Sequence, residues 1–228
     1  MAYVVAPEAI PALAVVGTAD LFPVNRIFCV GRNYADHARE MGHDPDREPP
    51  FFFLKPGQAL LPQGRDFPYP SASQNVHYEF ELVAAIGKGG ADISVNDALN
   101  HIYGYAVGLD MTRRDLQLQA QKMARPWDAG KGFDLSAPCS PVAPSSRIGH
   151  PHKGALWLEL NGKRVQSSDL SALIWKVPEI IAQLSTLFRL TPGDLVFTGT
   201  PAGVGPVKRG DVLHGAIEGV GELTVRVV

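Results

Sequence analysis

The sequence predicts a β-rich α+β domain. Three observations lead there. Segments with strand signals outnumber those with helical ones. Helix and strand do not alternate regularly, as a doubly wound fold requires. The length, 228 residues, suits one large domain that can bury its own core without disulfides or a structural metal. A hydrophobic content of 45% against 19% charged residues is globular, not disordered, composition.

Taken in order, residues 1–24 form an N-terminal extension with one or two short strands, and residues 25–228 form the main domain. The start is apolar, but it lacks a basic segment, carries Glu8 and is broken by Pro7 and Pro11, unlike a signal peptide. Residues 26–30 give a short buried strand ended by Gly31. Residues 33–41 have helical composition, with Asn33 able to cap the helix and Gly42 able to stop it. The charged, Pro-rich loop that follows makes this short helix a candidate lid.

A strand is expected at 51–54 and a clear one at 77–86. In the latter, Tyr78, Phe80, Leu82, Ala84 and Ile86 form an apolar face. Gly87 to Gly90 suggests a hairpin turn. Over 103–110, Tyr103, Tyr105, Val107 and Leu109 alternate with Gly104, Ala106, Gly108 and Asp110, so the small residues and the acid share one face. Residues 112–124 suggest a helix with a Thr112/Asp115 capping box and Leu116, Ala120 and Met123 on one face. Pro178 opens a second helix that would bury Ile181, Leu184, Leu187 and Phe188. Thr191-Pro192-Gly193-Asp194 is a turn signal, and short strands follow near 195–198, 212–214 and 223–228.

With 21 basic and 23 acidic residues, nothing in the composition invites a polyanion, so neither nucleic acid nor an anionic membrane is an expected partner. No run of about 18 apolar residues exists to span a bilayer. Two cysteines, Cys29 and Cys139, are no disulfide framework, and a reducing cytoplasm is the simpler setting.

Chemistry concentrates in a few residues. Glu79 and Glu81 are two apart in a strand whose other face is apolar, so both carboxylates project from one side, about 6–7 Å apart at Cα. Like charges so placed repel unless neutralised, and a hard cation such as Mg2+, Mn2+ or Ca2+ does this. A solvated strand face would explain Glu-x-Glu equally. Asp110, at a strand end on a face of small residues, adds a third carboxylate with space around it. Capping the helix that follows would be its ordinary role. His37 and Glu40 share a helix face, as a general base and its orienting carboxylate would, and as a surface ion pair would too. Lys131 between two glycines allows close backbone approach. Arg114 and Gln117 share a helix face directed away from Leu116. The loop from Gly199 to Gly205 follows a strand and offers backbone N–H groups to a carboxylate.

Five stretches carry a family resemblance: Val30-Gly31-Arg32-Asn33-Tyr34-Ala35-Asp36-His37, Phe53-Leu54-Lys55-Pro56, Tyr78-Glu79-Phe80-Glu81-Leu82, Gly108-Leu109-Asp110-Met111-Thr112 and Phe197-Thr198-Gly199-Thr200-Pro201-Ala202-Gly203-Val204-Gly205. In that order they resemble the fumarylacetoacetate hydrolase family, and within it the short acylpyruvate hydrolases. The resemblance implies a mixed β-sandwich roll with a short lid helix, usually as a homodimer. It implies Mg2+ or Mn2+ on Glu79, Glu81 and Asp110, and His37 with Glu40 as the water-activating pair on the lid. Lys131 would be the active-site lysine, with Arg114 and Gln117 near the substrate and Thr200 at its carboxylate end.

The implied reaction is hydrolysis of a C–C bond in a 2,4-diketo acid, fumarylpyruvate first among them, in gentisate catabolism. A fumaryl tail needs a cation for its distal carboxylate, and Arg32, Arg39, Arg47 and Arg125 are the candidates. Oxaloacetate decarboxylation and isomerisation or hydration of a 2-oxo-alkenoate could use the same metal site. A non-catalytic binding module would have lost the lid pair or Lys131, and all are present.

Overall fold

The computed structural model describes residues 3–36 and 49–228. Its first strands are β1 (Ala12–Ala14), β2 (Leu21–Pro23), β3 (Arg26–Gly31), β4 (Phe51–Pro56), β5 (Leu60–Pro62), β6 (Val76–Tyr78), β7 (Phe80–Ile86), β8 (Ile102–Leu109) and β9 (Thr112–Arg113). The remainder are β10 (Ala137–Cys139), β11 (Ala143–Pro144), β12 (Ala155–Leu160), β13 (Lys163–Asp169), β14 (Leu195–Phe197), β15 (Gly205–Val207), β16 (Val212–Ile217) and β17 (Gly221–Arg226). The two longest α-helices among the described residues are Arg114–Lys122 and Val177–Leu187.

Eight strands form one mixed sheet in the order β4-β3-β14-β7-β8-β10-β5, with β11 also on β8. Pairing of β14 with β3 and of β10 with β5 is parallel, and the other pairs are antiparallel. A four-stranded antiparallel sheet, β13-β12-β16-β17, lies apart from it, as does the small sheet β15-β6-β9. The fold is therefore the β-rich mixed roll that the sequence predicts.

Every residue of β7 is buried, because both of its faces are covered. Its even positions Phe80, Leu82, Ala84 and Ile86 join a cluster with Leu156, Leu158, Leu213, Ile180, Ile181 and Leu184. Its odd positions Val83 and Ala85 join a second cluster with Ile27, Cys29, Ala106 and Phe197. The hairpin β1–β2 caps that second cluster with Leu13, Val15, Phe22 and Val24. The small residues of β8 make this layering possible: a Cβ on Gly108 would stand 2.6 Å from the Phe197 ring.

Several local expectations change. The 77–86 strand is interrupted at Glu79, where the chain leaves the small sheet (β6) for the large one (β7). The segment between β7 and β8 is no tight turn but a long connection holding a 3-10 helix, Ala98–His101. The Arg114–Lys122 helix has no capping box, since Asp115 instead accepts from Ser73 Oγ at 2.7 Å and from the Gln74 N–H at 3.0 Å. Its buried residues are Arg114 and Gln117, while Met123 just beyond it is exposed. The apolar stripe is thus at most half-buried, with Met123 exposed, and the polar face turns inward, where Arg114 meets the Glu79 carboxylate. In the Val177–Leu187 helix, Ile180, Ile181 and Leu184 are buried, but Leu187 is exposed. Asn33 is not available to cap a helix. Its side chain donates to the carbonyls of Thr198 (2.7 Å) and Trp175 (2.9 Å) and accepts from the Trp175 N–H.

Candidate metal and substrate site

Adjacent strand ends bring the three carboxylates together. Glu81 lies opposite Gly108 in the β7–β8 ladder, and the Asp110 N–H donates to the Glu79 carbonyl at 2.8 Å. One carboxylate oxygen from each of Glu79, Glu81 and Asp110 lies within 4.8 Å of the others, and all three residues are buried. Gly199 fixes the third side, its N–H donating to Glu81 Oε2 at 2.7 Å. That residue must be glycine: its φ is +99°, and a Cβ would stand 2.7 Å from the Asn33 Cβ.

Three buried cations surround the trio. Lys131 Nζ donates to Glu79 Oε2 at 2.8 Å and to Asp110 Oδ2 at 2.6 Å. Arg114 donates to Glu79 Oε1 and to Gln117 Oε1, both at 2.5 Å, so one guanidinium links the helix to the strand break. Lys55, fully buried in β4, stands 2.9 Å from Asp110 Oδ1. This is an ionic contact without hydrogen-bond geometry. The three Nζ protons of Lys55 are shared among the carbonyls of Met111, Lys131 and Ser136 and the Ser136 hydroxyl. Asp110 Oδ1 is consequently a buried carboxylate oxygen with no hydrogen bond.

Electrostatics report the same crowding. Burial, then Asp110 and Glu79, push the Glu81 carboxyl well above the usual carboxylate range. Burial alone would lower the Lys131 ammonium, yet Asp110 and Glu79 outweigh it and hold the group above the ordinary lysine value. An all-oxygen donor set, one oxygen left without a hydrogen bond and a carboxyl driven toward protonation together fit a hard divalent cation better than any softer ion.

A cleft opens over Glu79 and Glu81, lined also by Arg32, Phe51, Phe53, Arg114, Gln117, Trp127, Lys131 and Thr200. The expected active-site lysine, Lys131, and the expected substrate residues Arg32, Arg114, Gln117 and Thr200 thus line one cleft. Thr200 offers less than its position suggests. Its hydroxyl donates to the Phe80 carbonyl (3.0 Å) and accepts from Gln166 Nε2 (2.9 Å), so its proton is committed to the fold. His37 and Glu40 lie outside the described residues, as does the expected lid helix beyond Asp36.

Sequence reasoning missed Lys55, Gln166 and the aromatic wall. Nothing in Phe53-Leu54-Lys55-Pro56 signals a role for Lys55, and only tertiary packing brings it against Asp110. The Phe51–Phe53 run signals a strand, but not that Trp127 packs edge-on to Phe51 with centroids 5.4 Å apart. Both cysteines are buried and unpaired, and burial pushes both thiols up, so neither is a poised nucleophile. No described helix is long and apolar enough to cross a membrane.

Known proteins point the same way. The model of the fumarylacetoacetate (FAA) hydrolase C-terminal family matches residues 26–228. The chain is 49% identical to a fumarylpyruvate hydrolase of Ralstonia over 82% of its own length and 98% of the relative's. It is 42% identical to the human mitochondrial oxaloacetate tautomerase FAHD1, over 88% of this chain and 90% of that one. A crystal structure of fumarylpyruvate hydrolase from Pseudomonas aeruginosa, in complex with Mn2+ and pyruvate, superposes with a TM-score of 0.97 at 57% identity, covering 100% of this chain and 99% of that one. The chain therefore belongs to the fumarylacetoacetate hydrolase family.

Proposed function

We propose that the chain hydrolyses the C3–C4 bond of a 2,4-diketo acid, an acylpyruvate such as fumarylpyruvate, with Mg2+ or Mn2+ held by Glu79, Glu81 and Asp110. The observation that carries this reading is the buried carboxylate trio, two of whose members, Glu79 and Glu81, line an open cleft together with Arg32, Arg114, Gln117 and Lys131. The bound ion supplies Lewis-acid polarisation of a keto acid's oxygens and a template for its orientation.

The chain's own residues do the rest. Arg114 and the amide N–H2 of Gln117 face a substrate carboxylate from the Arg114–Lys122 helix. His37, oriented by Glu40, removes a proton from water, and the hydroxide adds to the C4 carbonyl. The C3–C4 bond then breaks, its electron pair passing to C3 as pyruvate departs in enolate form. The proton taken from water returns to C3. One water is consumed, and a carboxylic acid and pyruvate result. Departure of carbon is the demanding step. The Lys131 ammonium uses two of its three N–H groups on Glu79 and Asp110, leaving the third for the developing enolate oxygen.

The Ralstonia and Pseudomonas relatives support the acylpyruvate reading. Two unpaired, buried cysteines support a reducing cytoplasm as its setting. Homodimerisation and a place in aromatic catabolism follow from the family reading. The mammalian relatives favour a second reading, keto–enol exchange of oxaloacetate, and decarboxylation of the same acid is a further use of the same metal site. Neither reaction requires attack by water, so the two readings separate at His37. A His37→Ala variant should lose about 10²–10⁴-fold in acylpyruvate hydrolysis, the usual contribution of a general base, and keep part of any oxaloacetate turnover. Assays on both substrates, with and without chelator, decide it. Wild-type hydrolysis in the variant, or turnover that a chelator leaves untouched, would overturn the proposal.

A further inference from the structure

We infer that Arg32 selects substrates whose acyl group ends in a second carboxylate, so that the enzyme takes dicarboxylic acylpyruvates in preference to monocarboxylic ones. This rests on the acylpyruvate reading above and names the substrate class within it.

Four observations carry the inference. Arg32 has φ +58°, a left-handed conformation that a long side chain seldom adopts and that is retained where the surroundings require it. The guanidinium lies over the Phe51 ring, 5.3 Å from its centroid. That ring in turn rests on the bare backbone of Gly31, where a Cβ would stand 2.0 Å from it. The cation–π contact with Phe51 engages the guanidinium's charge and none of its N–H groups, which stay available to a planar carboxylate. Finally, the guanidinium lines the cleft, and among the described residues no carboxylate pairs with it.

Charge accounting gives the same answer. The carboxylates of Glu79, Glu81 and Asp110 are matched in number by Lys55, Lys131 and Arg114, which contact Glu79 and Asp110 directly. A divalent ion and Arg32 are then positive charges in excess. A substrate with one carboxylate at the keto-acid end and another on the acyl tail answers both; a monocarboxylic one leaves Arg32 unanswered at the mouth. Arg125 is the other described candidate. It belongs to a neighbouring groove with Phe52, Leu54, Pro126 and Asp128, does not line the cleft over Glu79 and Glu81, and is exposed.

The test compares Mn2+-loaded full-length wild type, Arg32→Met, Arg32→Lys and Arg125→Met on fumarylpyruvate and acetylpyruvate. For Arg32→Met, kcat/KM on fumarylpyruvate should fall about 10–100-fold, mostly through KM, as for a lost charge-assisted hydrogen bond. On acetylpyruvate it should change less than about threefold. Arg32→Lys should recover only part of the loss, since a point charge replaces a fork, and Arg125→Met should spare both substrates. An equal loss on both acids, no loss on either, or a selective loss in Arg125→Met overturns the assignment. If wild type hydrolyses neither acid, the reaction reading fails by itself. Calorimetric binding of the same two acids then decides Arg32: the inference requires Arg32→Met to weaken the dicarboxylic acid alone.

Discussion

Lys55 shows how much of the site is held from below. It is fully buried, yet it bonds three carbonyls and a hydroxyl and lies against Asp110. Replacing it with Met fills similar volume but leaves Asp110 and those acceptors without their cation. A buried pair broken on one side costs about 3–5 kcal/mol. Denaturant titration of Lys55→Met in chelator should show a loss of that size, and a loss below about 1 kcal/mol would refute the role given to this lysine. Glu81 makes the opposite case. Its carboxyl is raised by burial, Asp110 and Glu79, so the folded metal-free protein holds a proton that the unfolded chain releases. A raised carboxyl contributes stability below its unfolded value, near 4.5, and that contribution is lost as pH climbs through the folded value. In chelator, melting temperature should therefore decline on raising pH above about 4.5. Glu81→Gln should flatten this decline, and saturating Mn2+ should reverse it, because a cation replaces the proton. Melts that are pH-independent in chelator would contradict this account.

At the scale of elements, the loop after β14 and the Arg114–Lys122 helix do most to shape the cleft. Gly199 combines a left-handed backbone, no room for a Cβ and a hydrogen bond to Glu81. Gly199→Ala should cost about 1–3 kcal/mol of stability through strain. By displacing the N–H that orients Glu81, it should also weaken Mn2+ binding about 10–100-fold. Calorimetric titration reads the second effect, and unchanged Mn2+ affinity would mean that Glu81 needs no such anchor. These same elements mark where sequence reasoning stops. The carboxylates were legible because period two sets Glu81 and, just past the end of its strand, Asp110 on the side of the small residues, and the break at Glu79 still leaves its carboxylate beside theirs. The helix was not, because Leu116, Ala120 and Met123 form the stripe that ordinarily faces a core. Nothing local in Arg114 and Gln117 reveals that the inward neighbour is a cluster of acids. The break at Glu79 was hidden for a related reason, since an uninterrupted apolar alternation does not show that the strand changes partners.

For the whole molecule, the open question is what the first two dozen residues contribute. The sequence suggests an extension to a domain beginning near residue 25, and the family match begins at residue 26. In the fold, however, Leu13, Val15, Phe22 and Val24 are buried against Ile27, Cys29, Ala106 and Phe197. Val16 and Val142 further stitch the hairpin to the body through the bonds Val16 N–H to Val142 O and Val142 N–H to Ala14 O, both 2.9 Å. Burying four such side chains contributes about 6–12 kcal/mol at roughly 1.5–3 kcal/mol each, which rivals the whole stability of an ordinary domain. The face that the hairpin covers is the one whose far end carries Glu81 and Asp110, so uncovering it would also wet the back of the site. We therefore expect a chain lacking residues 1–24 to be unfolded or aggregated at 25 °C, as read by circular dichroism and gel filtration. Leu13→Ala alone should cost about 2–5 kcal/mol. A truncated chain that melts within a few degrees of the full one and still binds Mn2+ would show the hairpin to be an appendage, and the second core cluster to be self-sufficient without it.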